Sequence, residues 1–123
     1  DGTSNTLVIS EDAGRPDIWR RGNKYSASNP IGSSPRIRTS GAGWADRDSA
    51  YGLHGFTMDG MANPGPCHTN CTNANEVFGF HPGGAHHLFA DGSVHFVKET
   101  TAIQVFANLI SRANGEIISA DSY

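Results

Sequence analysis

Long apolar runs are missing from this 123-residue chain: no stretch approaches the roughly 20 residues of a membrane-spanning helix, and no secretion signal is legible. Hydrophobic residues are few, 37% against 15 glycines and 6 prolines, so loops must occupy much of the chain around a modest core. Excess charge of one sign is lacking as well. Nine Lys and Arg against twelve Asp and Glu leave a net charge of −3, which gives no electrostatic reason to bind nucleic acid or an anionic membrane surface. The common catalytic signatures are absent: there is no Gly-x-Ser-x-Gly elbow, His-Glu-x-x-His helix, phosphate-binding glycine loop or dinucleotide fingerprint. A metal-assisted enzyme is the only catalytic class left open. Cysteine is limited to Cys67 and Cys71, and a zinc site at these thiolates and His68 would lack a second Cys pair. Their Cys-x3-Cys spacing in a Pro/Asn/Thr loop points to a local disulfide, which would stiffen the loop and implies a setting outside the cytoplasm.

Histidine is what the chain concentrates. Four of its six histidines and a carboxylate fall between His81 and His95, a grouping of the kind found around metals. In the same stretch the apolar runs 88–90 and 94–97 flank Asp91-Gly92, which predicts a hairpin with a two-residue type I′ turn. That turn sets Phe89 opposite Val94 and Leu88 opposite His95. Alternation then puts His86, Leu88, His95 and Val97 on one face, with His87, Phe89, Val94 and Phe96 on the core face. On this register His86 and His95 share copper or zinc with a third histidine, His81, His54 or His68. The plainer alternative is that His81 bonds a backbone carbonyl in its glycine turn while His86 and His95 are ordinary strand residues. Asp91 has two readings, a carboxylate that caps its own turn or an oxygen ligand for calcium.

The rest of the chain reads more coarsely. Residues 6–11 form a β-branched run suited to a strand, and 76–80 read as another. Thr100 or Thr101 caps a helix over 102–112 with Ile103, Phe106, Ala107 and Ile110 on one face; Asn114-Gly115 stops it, and 116–119 form a last strand. Residues 12–66 show little periodicity beyond a short strand near 35–39, and they carry Trp19, Trp44 and Tyr51 among polar residues. These aromatics serve either as a carbohydrate-stacking platform or as apolar anchors for a loop-rich region. The expected fold class is α+β, a small antiparallel sheet with one packed C-terminal helix and long loops, in a single domain over 1–123.

His81, nine intervening residues and Asp91-Gly92 resemble the H-x9-DG signature of a planctomycete prepilin-like family of unknown function, also catalogued as a solute-binding type. The opening Asp1-Gly2-Thr3-Ser4-Asn5-Thr6-Leu7, the Gly65-Pro66-Cys67 to Asn73 loop, Asn75-Glu76 and residues 110–118 extend the resemblance, leaving 12–63 as an insertion beside a 64–119 family core. The resemblance implies a pilin-like globular domain, the C-terminal part of a longer protein, located outside the cell or on its surface. His86, His87 and His95 depart from the family pattern. Together these readings favour a non-catalytic domain for surface assembly or for binding a ligand such as a carbohydrate, with self-association as a further expectation, no nucleic acid partner and no membrane contact by this segment. The competing expectation is a small histidine-liganded copper or zinc enzyme acting on polysaccharide.

Overall fold

The β-branched run near the N-terminus forms strand β1, Leu7–Ser10, and the histidine-rich stretch forms strands β4, Gly84–Phe89, and β5, Val94–Lys98. They make one antiparallel sheet in the order β1-β4-β5. The computed structural model describes residues 2–25, 38–43, 45–111, 115 and 119. Between β1 and β4 the described residues form a two-stranded ribbon, β2 (Trp19–Arg20) with β3 (Asn23–Lys24), one turn of 3-10 helix at Arg47–Ser49, and loops joined by isolated bridges. Helix α1, Ile103–Ile110, follows the sheet. This is the α+β arrangement that the sequence predicts.

The hairpin register differs from the expected one. Gly84 pairs with Lys98, Ala85 with Val97, His86 with Phe96, His87 with His95 and Leu88 with Val94. The cause is a loop of three residues, Ala90-Asp91-Gly92, in place of two. The Gly92 N–H donates to the Phe89 carbonyl (3.0 Å) and the Phe89 N–H to the Ser93 carbonyl (2.9 Å). Gly92 has φ 87°, so the turn is a type I turn closed by a left-handed glycine. The loop N–H groups decide this choice: Ala90 donates to the Thr6 carbonyl (2.8 Å) and Asp91 to the Thr3 carbonyl (3.1 Å). A one-residue slip moves every side chain to the other face. His87 and Phe89 of β4 are buried as expected, together with Ala85, but on β5 the slip brings Val97 to the core face while Val94 and Phe96, expected there, are 62% and 39% exposed.

Phe106 and Leu109 of α1 are buried, and Phe106 joins Val77, Ala85 and Val97 in the core, with Leu7 and Leu53 packed against it. Leu109 takes the buried place expected for Ile110, which is 42% exposed. The helix starts after Ala102 without a side-chain cap, not at a capping threonine. The Thr101 carbonyl instead accepts a hydrogen bond from His68 Nε2 (2.8 Å).

The strand expected over 76–80 is reduced to two bridges, Val77 with Thr69 and Phe78 with Asp12. Buried Asn73 supplies the pairing that a ladder would have given. Its Oδ1 accepts the Trp19 N–H (2.8 Å), and its Nδ2 donates to the carbonyls of Ala13 (3.0 Å) and Asp17 (2.9 Å). Next to it the Cys67–Cys71 disulfide is formed, with the Cα atoms 6.3 Å apart. Of the strand expected at 35–39, Arg38 bridges Asp17, while 35–37 lie outside the described residues, as does nearly all of the strand expected at 116–119.

Candidate metal site

The chain beyond β1 runs on alongside β4, and this carries Glu11 to the outer face of the sheet. The Glu11 N–H donates to the His86 carbonyl (3.1 Å), the Phe78 N–H donates to the Glu11 carbonyl (3.1 Å), and the His86 N–H donates to Glu11 Oε2 (3.0 Å). A carboxylate held through both its backbone and one oxygen is preorganised. Gly79 makes room for it, since a Cβ there would lie 3.0 Å from Glu11 Oε2.

His86 points outward from β4, and His81 is brought to it by the turn at Pro82-Gly83, where Gly83 has φ 84° and its carbonyl accepts the Glu99 N–H (2.9 Å). His81 Nε2 lies 3.4 Å from Glu11 Oε1, and His86 Nδ1 lies 3.6 Å from Glu11 Oε2. The two imidazoles meet edge to face with centroids 4.8 Å apart, and Phe96, the cross-strand partner of His86, sits 5.0 Å from the His86 ring. One ligand atom from each of Glu11, His81 and His86 lies within 4.8 Å of the other two. Ligands at zinc distances of about 2.0–2.1 Å in a tetrahedron are separated by roughly 3.3 Å, so the two His–Glu pairs are already near that spacing and an ion would have to draw the widest pair together by up to about 1.5 Å.

Other residues expected to take part are elsewhere. His95 pairs with His87, which puts it on the face opposite His86; its Nε2 is 2.9 Å from Ser93 Oγ and its ring packs on Phe89. The shared His86–His95 face is thus corrected by the register. Asp91 Oδ1 accepts the Ser93 N–H (2.9 Å) and hydroxyl (2.6 Å), which hold its carboxyl below the usual range; it caps its turn. His54 lies at Glu76, its Nδ1 3.5 Å from Oε1. His68 is buried, stacked on Phe106 with its Nδ1 2.7 Å from Thr69 Oγ1, and burial pushes its imidazole below the usual range. His87 faces the core beside Ser10, and burial lowers it to about 4. Trp19 packs edge-on against Phe80, Tyr51 has its hydroxyl buried beneath Arg15, and Trp44 lies outside the described residues. Trp19 and Tyr51 thus have the surroundings of anchors. Glu11 is the member of this cluster that the sequence does not single out; its one signal is its place at the end of the β1 run.

A three-stranded antiparallel sheet with a helix on its inner face and long loops beside it defines a pilin-like α+β domain, here with a His/His/Glu cluster on its outer face. A family model described as "Protein of unknown function (DUF1559)" matches residues 1–104, and the chain belongs to this prepilin-like family. The matched span includes Glu11, His81 and His86. No curated protein matches the chain, and no solved structure does. Membership links the domain to extracellular or cell-surface prepilin-like proteins. Among the described residues no helix is long and apolar enough to cross a membrane.

Proposed function

We propose that this domain is a non-catalytic cell-surface module that binds zinc(II) or copper(II) through Glu11, His81 and His86. The observation that carries the reading is the convergence of those three side chains, one ligand atom each within 4.8 Å of the others. Two imidazoles and a carboxylate suit these ions and suit calcium poorly. Three protein ligands leave a coordination position open, and both histidine side chains are about half exposed, at 53% and 48%. A donor from a neighbouring molecule can therefore complete the ion's shell, which makes the metal a means of surface assembly. The test is calorimetric titration of metal-free protein with zinc and copper. One ion should bind per chain, His86→Ala and Glu11→Gln should each weaken uptake by about tenfold or more, and His95→Ala should leave it unchanged. Equal loss in His95→Ala, or none in the other two, contradicts the assignment.

A further inference from the structure

On the other side of β1 lies a cavity of about 740 Å³, within the range of small-molecule sites. Its apolar walls come from Leu7, Leu53, Val77, Phe106 and Ile110, and Asp12, Arg15, Tyr51 and Glu76 also line it. Arg15 is already committed, to Asp12 (2.6 Å), the Asn75 side chain (2.8 Å) and backbone carbonyls. Glu76 is committed on one oxygen only. Its Oε1 accepts the N–H groups of His54 (2.6 Å) and Gly55 (2.8 Å), while Oε2 has no hydrogen-bond partner among the described residues although the side chain is only 3% exposed. The Tyr51 hydroxyl and Asp12 Oδ1 are also buried without a hydrogen-bond partner, and Tyr51 lies within the electrostatic reach of both carboxylates.

Buried acceptors are costly when left unpaired, and a carboxylate in a cavity wall, fixed through one oxygen with the other buried and unpaired, is set up for a donor from outside the chain. Arg15 pairs with Asp12, whereas Glu76 has only the His54 imidazole nearby, 3.5 Å from Oε1, and nothing on Oε2. Burial holds its carboxyl above the usual range, although the N–H groups of His54 and Gly55 and the His54 imidazole act in the other direction. An ammonium has N–H donors and no acceptor, which suits buried, unpaired acceptors such as Glu76 Oε2 and the Tyr51 hydroxyl among apolar walls. We infer that this cavity binds a small primary ammonium with an apolar body, its nitrogen on Glu76 Oε2 and Tyr51 Oη and its hydrocarbon against Leu53 and Phe106. The site is separate from the metal cluster.

The test uses n-hexylammonium on the full chain with excess chelator, so that no bound metal can take the amine, with hexan-1-ol and hexanoate as the neutral and anionic comparisons. Glu76→Gln is the diagnostic variant. Its amide oxygen can still accept the His54 and Gly55 N–H groups, while an NH₂ replaces Oε2. Saturable hexylammonium binding, about tenfold or more tighter than hexanol and lost by a similar factor in Glu76→Gln, supports the inference. Should Glu76→Gln not fold, Tyr51→Phe serves, with binding weakened several-fold. Hexanol binding as tightly as hexylammonium, unchanged hexylammonium binding in the folded variant, or no saturation at millimolar concentration overturns it.

Discussion

Phe106→Ala removes the side chain through which α1 grips the sheet. Phe106 is 1% exposed, stacks on His68 with centroids 4.3 Å apart, meets the His87 ring at 5.4 Å and packs with Val77, Ala85 and Val97. Truncating a buried Phe costs about 3–5 kcal/mol, and the lost ring contacts push toward the upper figure. Phe106 also borders the existing cavity, so the truncation widens a space that water can enter instead of opening a sealed apolar void. The expected loss is therefore about 3 kcal/mol, or roughly 10 °C in melting temperature for a chain of this size. Urea unfolding followed by far-UV circular dichroism measures it, with Gln104→Ala on the exposed side of α1 as a control expected to change stability by less than about 0.5 kcal/mol. A Phe106→Ala loss under about 1 kcal/mol would refute the packing of α1 on this sheet.

Gly92→Val should destabilise by about 2 kcal/mol because φ 87° disfavours a β-branched side chain, with Gly92→Asn costing less; equal melting temperatures for all three forms would show that Gly92 does not close the turn. Reducing the Cys67–Cys71 disulfide should cost about 2 kcal/mol or less, since the loop it closes is short, and non-reducing mass spectrometry should find no free thiol. Burial lowers the folded-state pKa of His68, so the unfolded chain takes up the proton first as pH falls below about 6.5. The stability present above that pH should be lost on acidification. His68→Gln should show a flatter acid limb of melting temperature against pH, and an unchanged limb would exclude the neutral buried imidazole.

The parts of this fold governed by local pattern were legible in the residues. Leu7 to Ser10, the two hairpin strands and the helix around Phe106 all follow from apolar spacing. The turn between the strands was not, because Asp-Gly fits both a two-residue loop and the end of a three-residue one. The choice is made by the carbonyls of Thr3 and Thr6, more than eighty residues away along the chain. That slip takes His95 away from His86 and places Phe96 beside it. Glu11 was unreadable as part of the cluster for a related reason: it reaches His86 across 75 residues, through a pairing that no local pattern contains. Asn73 shows the same limit, as a loop asparagine whose side chain replaces a strand ladder.

The central claim is that Glu11, His81 and His86 hold one transition ion. Zinc-edge X-ray absorption of protein loaded with one equivalent of zinc tests it most directly. The account predicts two imidazole nitrogens and a carboxylate oxygen at about 2.0–2.2 Å, one imidazole disappearing in His81→Ala and none in His95→Ala. A shell without imidazole, or one that His81→Ala leaves intact, would contradict it.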